Sequence, residues 1–271
     1  MRTALVTGST DAQAIGFTAA FLLASKHGFE VILSGRRKDA VDAAVKELRA
    51  KLGKDDGVMG LTMDVTDAGS IASAVESLSS SPFLVEGALD VLVNNAGVGA
   101  PPGRGGKGTT TMFLQTEQTT AKDMIDVFST NVAAVVGVTN AFLPLLSRSA
   151  SPRIVNVSSQ RGSLAFESGL EPARTGAMVY NASKSALNMV TVMQAKNLPG
   201  AIGKDNLKVN AASPGHVKTP FNNFTGLRTL EQGALVYVHL ATLPDDGPTG
   251  TLAGDHAPFS KEEGNFVQIP W

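Results

Sequence analysis

The 271-residue sequence predicts an α/β protein: one domain, 1–271, built on a doubly wound parallel sheet of about seven strands with helices on both faces. Two observations carry this expectation. Strand-like runs alternate with helical ones along the whole chain, which is the pattern of repeated strand–helix units with right-handed crossovers. The strands are also continuous apolar runs rather than alternating ones, so they are buried on both faces, as parallel strands are.

The elements follow in order. "TALVTG" is a strand ending at Gly8, and "IGFTAAFLLASKHG" a helix stopped by Gly28. "EVILSG" is the second strand, followed by the helix "DAVDAAVKELRAKL" with Asp39 as its N-cap. "VMGLTMDV" and "AGSIASAVESL" form the third unit, and "LDVLVNNAG" is the fourth strand. The run "TTAKDMIDVFSTNVAAVVGVTNAFLPLL" reads as one long helix bent near Pro144. "RIVNVSS" and "AMVYNASKSALNMVTVMQAKN" are the fifth strand and helix, and "LKVNAASPG" the sixth strand. "TLEQGALVYVHLATL" is the last helix, before a short tail with no obvious further strand. Segments 98–118, 160–179 and 219–230 read as loops or lids.

Composition narrows the function classes. Apolar residues make up 43%, and 23 basic against 24 acidic residues leave a net charge of -1 with no basic block, which argues against a nucleic-acid partner. There is no cysteine, hence no disulfide or thiolate metal site, and a reducing compartment is expected. The histidines at 27, 216, 239 and 256 show no metal spacing, so no metal is expected. The longest purely apolar run, "VAAVVGV" at 132–138, is far short of the ~20 residues of a membrane span. Residue 4 already lies in a strand, which leaves no room for a signal peptide. The expectation is a cytoplasmic protein with no membrane partner.

The first loop, "VTGSTDAQAIGF", lacks the middle glycine of the usual dinucleotide-binding turn. Extending the loop by two residues aligns the following helix with a terminal Gly16. Gly8 then makes the turn, Ala14 lies near the missing glycine, and Ile15-Gly16 lets the helix approach the strand. Ser9, Thr10 and Asp11 offer N–H groups and hydroxyls to a phosphate, backed by the helix N-terminus. A carboxylate at Asp11 argues against an anion there, and a plain strand-to-helix turn also fits this loop taken alone.

Four further motifs decide between these readings: "NNAG" at 94–97, "IVNVSS" at 154–159, "YNASK" at 180–184 and "SPGHVKT" at 213–219. In this order they resemble the short-chain dehydrogenase/reductase family across nearly the whole chain. The tail, "EQGALVYVHLATLPDDGPTG" and "IPW", looks most like the carbonyl-reductase branch. The resemblance implies a Rossmann-type fold and an NADP-dependent oxidoreductase that passes hydride from NADPH to the carbonyl of a small molecule. It implies Tyr180 as acid/base, Ser159 rather than Ser158 as hydrogen-bond partner of the substrate oxygen, and Asn131 as holder of a water linking Lys184 to solvent. Lys184, four residues after Tyr180 and on the same helix face, would lower the tyrosine pKa and hold ribose hydroxyls.

The cofactor residues follow in the same way. "LSGRRK" ends the second strand without an acid, and Arg36 and Arg37 suit a 2′-phosphate, although basic residues also commonly sit at a solvated helix start. Asp64 and Val65 would flank the adenine. Asn95, Ala96 and Gly97 would line the middle of the cofactor, and Pro214, Gly215, Val217 and Thr219 its nicotinamide end. Phe113, Phe166, Met178, Phe221 and Phe224 on loop segments suggest a bulky apolar substrate, or simply satellite core. Imine or enoyl reduction and a non-catalytic NADP sensor are the alternatives. Ala177, Met178 and Val179 provide no second tyrosine of the enoyl-reductase kind, and a sensor has no need of all four catalytic-type residues.

One departure from the family pattern stands out. Ser159 and Tyr180 are 21 positions apart, an enlarged spacing that reads as a flap over the substrate. In the carbonyl-reductase branch an insertion at this place accompanies a monomer. With Met189, Val190, Val192 and Met193 expected to pack on the sheet, a monomer is favoured and a dimer is the alternative.

Overall fold

The computed structural model describes residues 1–103, 116–171 and 176–271. One eight-stranded sheet runs through it: β1 (Thr3–Val6), β2 (Glu30–Gly35), β3 (Val58–Thr62), β4 (Val91–Asn94), β5 (Arg153–Val157), β6 (Lys208–Ala212), β7 (Leu252–Gly254) and β8 (Val267–Ile269). Their spatial order is β3-β2-β1-β4-β5-β6-β7-β8. The first seven strands are parallel and β8 is antiparallel to β7, pairing Leu252 with Ile269. The sheet therefore has one strand more than expected, and the tail contains two. Both are three residues long, too short to leave a hydrophobic run that a sequence reading can detect. The chain reverses direction across the sheet between β1 and β4, so the crevice for a ligand opens at their carboxyl ends.

Helices α1 (Ile15–His27), α2 (Lys38–Leu52) and α8 (Leu230–Ala241) cover one face through Phe17, Leu23, Leu48, Val236 and Tyr237. Helices α3 (Ala68–Ser79), α5 (Ala134–Leu146) and α7 (Met178–Ile202) cover the other, through Leu78, Val138, Phe142, Leu145 and Ala195. Helix α2 begins at Lys38 with Arg37 as its N-cap and no side-chain cap, so Asp39 lies inside the first turn and does not cap it. Gly28, Gly53 and Gly203 end α1, α2 and α7 in the left-handed conformation, which costs glycine no Cβ clash.

The long fourth helical run is broken, but not where proline suggested. Helix α4 (Ala121–Phe128), capped reciprocally by Thr120 and Asp123, passes into a π turn at Ser129–Ala133 before α5, which continues through Pro144. By length and composition the stretch Ala121–Leu146 could cross a bilayer. Here Val127, Val135, Val138 and Phe142 pack it into the core.

A buried polar ladder ties the helices on this face to the strands. Asn94 Nδ2 donates to Thr139 Oγ1 of α5 (3.0 Å) and to Asn156 Oδ1 of β5 (2.9 Å). Asn156 Nδ2 in turn donates to Thr191 Oγ1 (3.0 Å) and Gln194 Oε1 (2.9 Å) of α7. Buried amides are costly when unpaired, so the ladder fixes the helices in register rather than merely near the sheet. It holds α7 with Tyr180, Lys184, Leu187, Thr191 and Ala195 turned inward. Met189 and Met193 point the other way, 62% and 51% exposed, and so do not pack on the sheet as expected.

Candidate active site

The loop after β1 is zipped to the loop after β4. Thr7 Oγ1 accepts from the N–H groups of Asn95 (3.0 Å) and Ala96 (3.1 Å), and Asn95 Nδ2 donates to the carbonyls of Thr7 (2.8 Å) and Gly8 (3.0 Å). Gly8 has φ +62°, and a Cβ there would come 2.8 Å from Ala96 Cα. A Cβ on Gly16 would collide with the Asn95 amide. The close approach of the two loops therefore requires both glycines.

Helix α1 starts at Ile15 after Ala14, with no side chain capping it, so its first N–H groups face the crevice that the longer loop opens. Asp11 does not compete for that end. Its carboxylate accepts from the Gln13 N–H (2.8 Å) and its carbonyl from Ala14 (3.0 Å), which folds the acid onto its own loop. Ser9 is fully buried: its hydroxyl donates to Val6 O (2.7 Å) and accepts from Ser34 N–H (3.1 Å), while its own N–H goes to Ser34 O. Its donors thus strut β1 against β2, leaving Thr10, Ala14, Ile15 and Gly16 on the rim. Thr10 leans on Gly35, where an added Cβ would meet Thr10 Cγ2 at 2.7 Å.

Arg36 and Arg37 are exposed at the end of β2. Arg37 lies 4.0 Å from Asp39, with both side chains largely in water, a pair of little energetic consequence. The Asp64 carboxyl lies below its ordinary range because the Thr66 hydroxyl and N–H donate to it, with a smaller contribution from the nearby Arg36 charge. Val65 packs beside it against the core.

The loops after β4 and β5 bring the catalytic-type residues together. Asn131 sits in the π turn, 1% exposed. Its Oδ1 accepts from Val98 N–H (2.8 Å), and its Nδ2 donates to Val98 O (2.9 Å) and Ser183 Oγ (3.0 Å). The inserted π residue turns this amide toward the β4 loop. Gly97 lies alongside, where a Cβ would stand 3.8 Å from Lys184 Nζ.

Ser158 and Ser159 divide their roles. The Ser158 hydroxyl, buried, donates to Asn188 Oδ1 (2.6 Å) of α7. The Ser159 hydroxyl instead accepts from the Arg161 N–H (3.1 Å) and lies close enough to the Tyr180 hydroxyl to bear on its pKa. Tyr180 is nearly buried, and burial pushes its pKa up to about 12, opposed by the Ser159 hydrogen bond and by the Arg161 charge.

Lys184 lies beside the Tyr180 ring, with its ammonium tied to β5. Its Nζ donates to Val157 O (2.7 Å) and lies 5.5 Å from the centre of the Tyr180 ring. Burial brings the lysine itself down to about 8.

The loop after β6 closes the site. Gly215 has φ +76°, and a Cβ there would press on Arg228 and His256. Pro214 precedes it, Val217 pairs with Arg228, and buried Thr219 ends the turn. His216 is exposed and faces Thr225 at 3.3 Å. Phe221 presents its ring edge to Tyr180 with centroids 6.0 Å apart, and Phe221 and Phe224 are half exposed. Phe166 stacks elsewhere, on Phe259 at 5.4 Å. Met178 opens α7 two residues before Tyr180. Phe113 lies outside the described residues, as do most of 98–118 and part of 160–179.

Sequence reasoning missed two groups at this site. Arg161, Glu167 and Asn181 form a cluster beside Tyr180, with Arg161–Glu167 at 3.5 Å and Asn181 Nδ2 donating to Glu167 Oε2 at 2.9 Å. His256, buried, faces Ser213 Oγ at 2.9 Å, and Ser213 Oγ accepts from Gln160 N–H. The asparagine inside "YNASK" was the available signal for the first; nothing short-range marks the second.

A parallel sheet with its crevice at the β1/β4 reversal, and a serine, tyrosine, lysine and asparagine gathered at that edge, define an oxidoreductase-type site. The family model described as short chain dehydrogenase matches residues 2–228, and the chain belongs to the short-chain dehydrogenase family, whose members use a nicotinamide cofactor. Among similar proteins is short-chain dehydrogenase anuI of Penicillium roqueforti, 29% identical with 98% of this chain and 96% of that one covered. The solved structure of salutaridine reductase from Papaver somniferum is 30% identical, covers 93% of this chain and 99% of its own, and has a TM-score of 0.72. That of NADPH-bound carbonyl reductase from chicken fatty liver is 28% identical, covers 94% and 96%, and has a TM-score of 0.73.

Proposed function

We propose that this protein is an NADPH-dependent carbonyl reductase, that it acts on a bulky, largely apolar small molecule, and that Tyr180 is its general acid. The gathering of Ser159 at the end of β5, Tyr180 and Lys184 on the inward face of α7 and Asn131 in the π turn, with Phe221 against the tyrosine ring, carries this reading. The names of two relatives, a salutaridine reductase and an NADPH-bound carbonyl reductase, support it.

The cofactor crevice fits a dinucleotide: an uncapped helix start behind a turn whose glycines a Cβ would block, with Arg36 at the ribose end. Gly8, Thr10, Ala14, Ile15 and Gly16 would hold the pyrophosphate, Asn95 to Gly97 the middle, and Pro214 to Thr219 the nicotinamide end. When bound, the nicotinamide supplies the hydride. The chain's own residues do the rest. Ser159 holds the carbonyl oxygen against the Tyr180 hydroxyl, and Tyr180 gives its proton to the developing alkoxide. At neutral pH a tyrosine pushed up to about 12 is fully protonated, as an acid must be. Lys184, down to about 8, still carries its charge below that pH and steadies the phenolate that is left. Asn131 fixes the β4 loop against α7 so that these groups keep their spacing.

The test is turnover. Wild-type protein should consume NADPH with bulky cyclic ketones, followed by loss of its absorbance, with matched imines run alongside. Tyr180→Phe should lose ~10²–10⁴-fold in kcat while still binding NADPH. Protein that binds NADPH but turns over no carbonyl would point to the sensor reading, and a variant keeping more than about a tenth of kcat would remove Tyr180 from the acid role.

A further inference from the structure

The short helix α6 (Leu164–Ser168) lies in the enlarged segment between Ser159 and Tyr180, and it is held from two sides. Toward α7, Glu167 accepts from Asn181, the residue after Tyr180, and pairs with Arg161. From the other side comes the end of the sequence. The buried Ser163 hydroxyl donates to Pro270 O (2.5 Å), and Ala165 N–H donates to Trp271 O (3.1 Å). Phe166 rests on Phe259, and Phe259 and Trp271 pack on Ala211, Leu252 and Ile269 at the β6–β8 edge.

A five-residue helix cannot hold itself, because its nucleation cost exceeds what so few internal hydrogen bonds return. Its first-turn donors must also find partners. Ser163 Oγ takes the Phe166 N–H, and Trp271 takes the Ala165 N–H. The position of α6 is therefore set by its braces, and one of the two is the tail carried by β8.

We infer that Pro270 and Trp271 are positioning residues: docked on α6, they hold this flap beside the Ser159–Tyr180 pair and so set the site's preference for bulky substrates. The inference rests on the carbonyl-reductase reading of the site. Neither residue touches the reacting groups. Their effect is to spare the substrate the cost of ordering the flap when it binds, a saving that falls on large molecules that reach α6 and not on small ones.

Two variants test it: Trp271→Ala, which removes the ring that packs the tail on the β6–β8 edge and leaves the α6 cap intact, and a chain ending at Ile269, which removes both hydrogen bonds from the tail. Amide hydrogen exchange of 163–168 should speed up by at least ~10-fold in the shortened chain, the scale of about 1.4 kcal/mol. The ratio of kcat/KM for a bulky cyclic ketone to that for a small aldehyde should fall by a similar factor, through KM rather than kcat. Trp271→Ala should move both readouts in the same direction by less, and it decides the matter alone if the shortened chain does not fold. An active wild type whose variants exchange no faster, or keep the wild-type ratio, overturns the inference while the reading of the site stands. A wild type that binds NADPH and reduces neither substrate overturns that reading, and the inference with it.

Discussion

The Lys184 ammonium donates to the Val157 carbonyl at 2.7 Å, so the cation beside Tyr180 is tied to the end of the strand that delivers Ser159. One residue of α7 thereby reports the position of β5 to the catalytic centre. The bond also holds a charge where burial disfavours it, and that has a measurable effect on stability.

Folding lowers the Lys184 pKa from 10.5 to about 8. Below pH 8 the lysine is charged in both folded and unfolded chains, and the folded state bears the full burial penalty. Between pH 8 and 10.5 the folded state sheds its proton first, the unfolded state binds more protons, and stability rises with pH. Lys184→Met carries no such penalty. Its stability relative to wild type, from denaturant unfolding at pH 7.5 and pH 10, should decline as pH rises, by up to roughly 3 kcal/mol over the full window. A relative stability that grows with pH would mean that the lysine is favoured in its charged form.

The two adjacent serines should separate cleanly. Ser158→Ala deletes the buried hydrogen bond to Asn188 and should lower stability by ~1–3 kcal/mol with kcat nearly unchanged. Ser159→Ala should spare stability and reduce kcat by at least ~10-fold with NADPH affinity retained. Thermal melts and steady-state kinetics on the same preparations distinguish them, and equal kinetic loss from both would undo the division of roles.

Arg36 is the test of cofactor choice. If it meets the 2′-phosphate as proposed, its replacement by alanine removes a charge-assisted contact worth roughly 1.5–3 kcal/mol. The NADPH-to-NADH ratio of kcat/KM should drop by at least ~10-fold. A wild-type enzyme that already prefers NADH would refute the assignment before any variant is made.

Assembly gives a fourth expectation. The segment 160–168 covers the start of α7, with Ser185 Oγ and Asn188 Nδ2 both donating to Gly162 O. A monomer of 28.0 kDa is expected from light scattering after size exclusion. The exposed Met189 and Met193 sharpen the test, since Met189→Lys with Met193→Lys should leave the mass unchanged. A larger mass that falls to the monomer in this variant would show that the two methionines pair copies.

Much of the framework was legible because its signals are local. Continuous apolar runs mark β1 to β6, glycines mark the helix ends, and "NNAG" and "VSS" fall at strand ends and "YNASK" at the start of α7, which the topology must bring to one edge. What was not legible depends on distance along the chain. Ser9 looked like a phosphate donor because nothing in its neighbourhood shows that Ser34 consumes its hydrogen bonds. Helix spacing puts Lys184 on one face with Tyr180, but its bond to the Val157 carbonyl, 27 residues away, left no local mark. The short strands β7 and β8 exist only because each has a neighbour to pair with. The inward face of α7 was overestimated because methionine is equally apolar in core and at surface.

The π turn at Ser129–Ala133 amounts to one residue too many in an otherwise regular helix. Removing a single residue there would restore unbroken i to i+4 bonding and rotate everything before it by about 100° relative to α5. Such a deletion is a mutation that local helix energetics would welcome. It would also swing Asn131 away from Val98 and Ser183, strand three buried hydrogen bonds and unhitch the β4 loop from α7. The irregularity is thus a local cost that the surrounding fold more than offsets, because the three bonds it permits outweigh the helical bond it forgoes. A screen that rewards thermostability alone should therefore leave the extra residue in place.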